Sequence, residues 1–200
     1  MIIRNNKGFT LLEMLVVSAI FVMAMTAMVT IFVQTNRVQK RLANSEKLQA
    51  DTRYVVELMA REIRNNRIDY SFYINDPDGV DNGFNLSKQP VDYLALRDID
   101  NNQIIFHFVN VISPPSNKIE IKRTSINKDW HNITPDDISV TAMSLFLSPN
   151  SDPFDITDLT PPDEQPLVTI ALTTQSLTPD LDESKWIRYQ TAISSRFYAR

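Results

Sequence analysis

Cysteine is absent from this chain, which excludes disulfides and thiolate metal sites and leaves the redox compartment unread. Glycine is almost absent as well, with only Gly8, Gly79 and Gly83, and none of the eleven prolines precedes Pro77. From Phe9 to about Arg67 there is therefore no helix breaker of either kind, and nothing in the backbone chemistry interrupts a single long helix. Acid is scarce in the same region: Glu13 is the only carboxylate between Lys7 and Asn36. Catalytic patterns are lacking too. The two histidines, His107 in "IIFHFVNV" and His131 after Trp130, belong to no HExxH, paired-histidine or nucleophile-elbow pattern, so strand or surface roles are expected for them. The carboxylates are plentiful but unspaced, and no acid/base pair stands out. The expectation is a protein that is not an enzyme.

What the sequence does contain begins with "MLVVSAIFVMAMTAMVTIFV", residues 14–33, twenty residues without charge. As a helix this run is long enough to span a hydrocarbon core of ~30 Å. Glu13 stands at its edge, where an ionised acid is unfavourable by ~2.5–3.5 kcal/mol at mid-bilayer and by less near an interface, so a partner is expected. The apolar run passes directly into a basic, amphipathic stretch in which Val38, Leu42, Leu48, Val55, Leu58, Met59 and Ile63 recur at mostly helical spacing. One helix over residues 9–67 would be ~88 Å long at ~1.5 Å per residue, so its second half must serve something outside the membrane. Residues 43–52 hold few large apolar side chains and are expected to be the least tightly packed part of the stripe.

Beyond Arg67 the texture changes to short period-two runs between turn residues. Strands are expected at 91–97, 103–112, 118–125, 138–147, 166–175 and 187–197, with "DIDNNQ" as a hairpin turn centred on Asn101 and Asn102. Short connections favour an antiparallel sheet, and the helix stripe is the surface available to cover it. The fold class is thus α+β: a long N-terminal transmembrane-plus-amphipathic helix packed on an antiparallel head. Charge follows the same division. Residues 34–67 hold 8 basic and 4 acidic side chains, whereas residues 68–200 hold 10 basic and 19 acidic, a net of −9. An acidic head argues against direct nucleic-acid binding, since phosphate neutralisation supplies most non-specific affinity. Lys118, Lys122, Arg123 and Lys128 form one local basic segment, read as a solvated face.

The order of features at the N-terminus differs from that of a secretory signal, whose cleavage site follows its apolar run. Here a charged leader of eight residues precedes "KGFTLLEMLVV". A basic residue, Gly, an aromatic, Thr, Leu, Leu and Glu, joined to twenty apolar residues, resembles the N-terminal motif of type IV prepilins and type II secretion pseudopilins, the class III signal peptide. The resemblance implies a pilin-like fold and a leader, residues 1–8, removed by a prepilin peptidase that cuts between Gly8 and Phe9. It implies that Phe9 becomes an N-methylated terminus. Glu13 would pair with the N-terminal amine of a neighbouring subunit and set the register between subunits. The remaining divisions are then 9–33 for the transmembrane part, 34–67 for the amphipathic part and 68–200 for the head.

Further consequences rest on the same resemblance. Partners would be other pilins or pseudopilins through the apolar helix, the peptidase and an inner-membrane assembly platform. The chain would lie single-pass in the inner membrane with its head extracytoplasmic, then enter a pilus or pseudopilus. The uninterrupted first helix and the lack of cysteine depart from major pilins, and "YVVELMAREIRNN" with a strand-rich end, "YQTAISSRFYAR", is most similar to W-type minor pilins and J-type minor pseudopilins. The expected function is that of a minor, non-catalytic subunit that helps initiate or cap a filament. The alternatives are a filament-borne module binding a surface, secreted substrate or DNA-uptake partner, and a major pilin. No cofactor is expected. Asp76, Asp78 and Asp81 in "NDPDGVDNG" present oxygen ligands suited to calcium, but without a full twelve-residue loop an acidic turn is the favoured reading.

Overall fold

The computed structural model describes residues 8–74, 86, 89–110, 117–154, 164–177 and 186–196. The chain divides into two units, Met1–Ala43 and Asn44–Arg200, and helix α1 (Leu11–Asn65) contributes to both. In the first unit every described residue is exposed. Its apolar stretch is long and apolar enough to cross a membrane, with a mean hydropathy of 2.5 over its best window. The few hydroxyls there are already satisfied. Ser18 donates to the Leu15 carbonyl at 2.9 Å, Thr26 to Val22 at 2.7 Å and Thr30 to Thr26 at 2.8 Å, so none needs water.

The second unit is the antiparallel α+β head anticipated from the sequence. Strands β1 (Arg67–Ile68), β2 (Tyr93–Arg97), β3 (Gln103–Val109), β4 (Lys118–Arg123) and β5 (Asn127–Asn132) form one sheet in sequential order. Strands β6 (Ile138–Ser148), β7 (Leu167–Ser176) and β8 (Trp186–Ser194) form a second, and a short helix α2 (Tyr70–Ile74) follows β1. All six expected strands are present with shifted ends. β5 was not expected: "NKDWHN" has no apolar alternation, because an edge strand pairs through its backbone and needs no buried face. The hairpin between β2 and β3 is centred one to two residues earlier than expected. Asp98 and Asn102 close it, N–H to carbonyl at 3.0 Å, and Asn101 takes the left-handed conformation at φ 65° that an asparagine tolerates.

One core joins both sheets to the helix. Val55, Val56, Met59, Ala60 and Ile63 of α1 pack with Leu94, Leu96, Phe106 and Ile119 of the first sheet and with Leu145, Ile170 and Leu172 of the second. Burial of a Leu or Phe side chain contributes ~1.5–3 kcal/mol, so these three walls of side chains supply most of what holds the head together. Val38 and Leu42, expected to belong to the covering stripe, are 53% and 56% exposed, because they lie in the first unit, where nothing packs on them. Burial starts at Leu48, at 2% exposure, followed by Thr52 at 1%. Residues 43–52 are therefore better packed than expected on one side, although a cavity opens beside Gln49 and Thr52.

Polar ties reinforce that packing. Thr52 donates to the Leu48 carbonyl at 2.7 Å, which leaves Thr174 of β7 to donate to Thr52 across 2.7 Å. Arg123 of β4 reaches Glu62 at 2.7 Å, and Ser195 donates to the Asn66 carbonyl at 2.8 Å. Helix and sheets are thus bonded at several levels within the head.

Candidate functional site

The site begins where the first helix begins. Gly8, Phe9 and Thr10 precede α1 in non-helical, exposed backbone, and Phe9 is 75% exposed. A methyl group placed on Gly8 would meet nothing within 4 Å, so the folded chain itself does not demand glycine there.

Thr10 is the N-cap. Its carbonyl accepts the first helical bond, from the Met14 N–H at 3.2 Å. Its hydroxyl accepts from the Glu13 N–H at 3.2 Å, while the Glu13 carboxylate accepts from the Thr10 N–H and hydroxyl, each at 3.3 Å. This is a reciprocal capping box, T-x-x-E, and it satisfies two backbone donors that a helix start otherwise leaves unpaired. The negative charge also lies at the positive end of the helix dipole. Glu13 therefore has a partner inside its own chain. The sequence signal for this cap is the T-x-x-E spacing in "TLLE", which the expectation of an intermolecular partner for Glu13 did not include.

Both bonds to the carboxylate end on one of its oxygens, Oε2. Glu13 projects from the first turn of α1, whose apolar residues up to Leu42 are all exposed, among them Leu11, Leu12, Leu15 and Phe21 at 85%, 73%, 62% and 59%. An acid and a run of unburied apolar side chains are thereby offered together, in a stretch without internal packing.

The other candidates stand apart from this site. His107 lies on β3, stacked on Tyr93 with centroids 4.2 Å apart and planes within 2°, and 5.6 Å from Trp130. Burial lowers its pKa against the opposing pull of Glu120 and Asp92. His131 lies on β5, exposed and opposite Ile121. Lys122 sits 5.6 Å over the Trp130 ring, and Lys118 meets Asp136 at 3.4 Å, so two members of the basic segment are tied to the head's own surface. Asp76, Asp78 and Asp81 lie outside the described residues. Among the described residues no cluster of three or more metal-ligating side chains occurs.

One buried carboxylate was missed in the sequence. Asp69, 3% exposed between β1 and α2, accepts from Arg97 Nε at 2.9 Å, Ser71 at 2.6 Å and Gln103 at 2.9 Å. Burial opposes its charge, but these donors outweigh burial and hold its pKa below the ordinary carboxylate value. It is a structural junction of three elements, and no local pattern in "RIDYS" announces it.

With this geometry in view, comparison with known families finds one match: residues 3–29 fit the prokaryotic N-terminal methylation motif. No curated protein and no solved structure matches the chain significantly. The match takes in the charged residues ahead of the helix, the capped helix start and most of the apolar run, and it supports a likeness to the type IV pilin and pseudopilin family. The long apolar helix and the antiparallel sheets agree with a pilin-like α+β fold.

Proposed function

We propose that this chain is a minor, non-catalytic (pseudo)pilin that helps initiate or cap a filament. The observation that carries the reading is the helix start: a capped Glu13, inside the matched motif, at the head of an apolar run whose side chains are all exposed. Prepilin peptidase cuts between Gly8 and Phe9, in the exposed backbone ahead of the cap, and Phe9 is then methylated. The new amine on one subunit reaches the Glu13 carboxylate of the next. Two unlike charges in an apolar setting satisfy one another only at one axial step, so the pair fixes register as well as contributing attraction. The cap supplies the carboxylate with donors while the subunit waits in the membrane.

The apolar helix docks among sibling helices, with the inner-membrane platform extracting the subunit and the head remaining extracytoplasmic. The minor role is supported by the uninterrupted helix, which offers no glycine or proline where a major subunit would bend. The test is mass spectrometry of the chain recovered from cells with and without the peptidase. A mature species starting at methylated Phe9, together with fewer filaments when the gene is deleted, is the expected result. An intact leader in the presence of an active peptidase, or label from Ser151→Cys spread along whole shafts, overturns the processing or the minor role respectively.

A further inference from the structure

The second sheet has two edges of opposite character. Along β6 the edge is closed by the chain itself. Val91 donates to the Leu145 carbonyl at 2.9 Å, the Gln89 side chain bonds both the N–H and the carbonyl of Leu147 at 3.0 and 2.6 Å, and Val140 donates to the Asn117 carbonyl at 2.9 Å. Along β8, among the described residues, no strand pairs with the outer edge.

That open edge is nine residues long, in unbroken register with β7 from Trp186 to Ser194. Its sequence "WIRYQTAIS" has no proline, no lysine and a single charge, Arg188. Protein edges of this length are ordinarily shielded by such residues or by a bulge, because their unpaired backbone groups template another strand. Side-chain burial is incomplete along the same line. On β7 the inner-face residues Val168, Ile170, Leu172 and Thr174 are buried, while of their β8 counterparts Ile193 is buried and Ile187, Tyr189 and Thr191 are only partly covered. Beside them lies a cavity of about 370 Å³, walled by Ile187 and Tyr189 on the strand and by Glu46, Gln49, Thr52 and Arg53 on α1.

We propose that β8 is a docking edge for an extended segment of another protein, one in which carboxylate side chains alternate with apolar ones. A strand added ~4.8 Å from β8 would complete the backbone ladder and send every second side chain over the cavity, where an apolar group extends the Ile187–Tyr189 wall. The alternate side chains would stand on the outer face beside Trp186, Arg188 and Gln190. Charge selects the acid. Arg188 is the one charge of the strand and stands on that outer face, its guanidinium 5.2 Å over the Trp186 ring. A basic strand would set like charges directly across from Arg188, which is unfavourable in a cross-strand pair. Trp186, 59% exposed, supplies an apolar anchor at the end of the edge.

The experiment uses the full chain in detergent micelles with two blocked decapeptides, one alternating Glu and Val, the other alternating Lys and Val. Fluorescence anisotropy should show saturable binding of the Glu peptide and at least about tenfold weaker binding of the Lys peptide. Arg188→Glu should invert that preference, and Ala50→Trp, which fills the cavity from the helix side, should weaken both. Circular dichroism shows whether either variant is folded; Gln190→Glu on the same outer face, expected to weaken the Glu peptide, replaces an unfolded Arg188→Glu, and Gln49→Trp on the cavity wall replaces an unfolded Ala50→Trp. Absence of saturable binding, or equal binding of both peptides unchanged by Arg188→Glu, overturns the proposal. Self-association abolished by Ala50→Trp without peptide binding would overturn it in favour of a second copy. Peptide binding gained only on removing residues 197–200 would overturn it in favour of the chain's own tail.

Discussion

Thr10 and Glu13 cap one another: the threonine hydroxyl accepts from the Glu13 N–H at 3.2 Å, and the carboxylate accepts from the Thr10 N–H at 3.3 Å. The acid proposed above for contact between subunits is thus also the acid that caps the helix start. The two roles separate by substitution. Glu13→Gln keeps a side chain able to close the box but removes the charge, so membrane insertion and the helix start should persist while filament incorporation falls. Thr10→Ala keeps the charge and loosens the first turn by about 1 kcal/mol, read as faster amide exchange there. Normal incorporation of the Gln variant would remove the pairing argument.

Gly8 has open space around it, so under the proposed processing its identity would matter to the peptidase rather than to the fold. Gly8→Val should leave the thermal unfolding of the head unchanged while the precursor accumulates. Immunoblots resolving precursor from mature chain check this, and full processing of the variant would show that the glycine is not required.

Asp69 is the one carboxylate residue that is buried among the described residues. Asp69→Asn loses the charged bond to Arg97 and should cost roughly 2–3 kcal/mol in urea unfolding. Its folded pKa lies below the ordinary carboxylate value, so its contribution is complete above that value and is lost as pH falls through the folded one. Acidification below about pH 4 should therefore narrow the difference between wild type and variant. A constant difference down to the lowest pH would contradict the assignment.

The Thr52–Thr174 bridge predicts an order of effects. Thr174→Val leaves Thr52 with its bond to the Leu48 carbonyl and should cost about 1 kcal/mol. Thr52→Val leaves the buried Thr174 hydroxyl without this partner and should cost more, up to about 3 kcal/mol. Equal melting temperatures for the two variants would mean that the bridge is not formed as described.

His107 should make the head sensitive to mild acid. Burial favours the neutral imidazole in the folded state, whereas the unfolded chain takes up a proton near the ordinary value of about 6.5. Its stabilising contribution is complete above that value and is lost as pH falls through the lower folded pKa. His107→Phe retains a ring against Tyr93 and should flatten the stability profile between about pH 7 and 5. An unchanged slope would place the titration elsewhere.

The sequence by itself determined the elements whose signals are local. An unbroken helix follows from the absence of glycine and proline, its membrane-spanning part from twenty uncharged residues, and six strands from period-two runs between turn residues. The motif around Gly8, Phe9 and Glu13 was equally legible, since its information lies in consecutive residues. Tertiary structure alone decided the rest, because those outcomes depend on which distant backbones meet. β5 exists by pairing with β4 rather than by its own pattern, and the strands separate into two sheets around one helix. Asp69 is buried because Arg97 and Gln103 arrive from other strands to satisfy it. The helix stripe is covered only from Leu48 onward because that is where the head's sheets supply a surface, and the edge of β8 stays open because the folded chain places no described strand beside it.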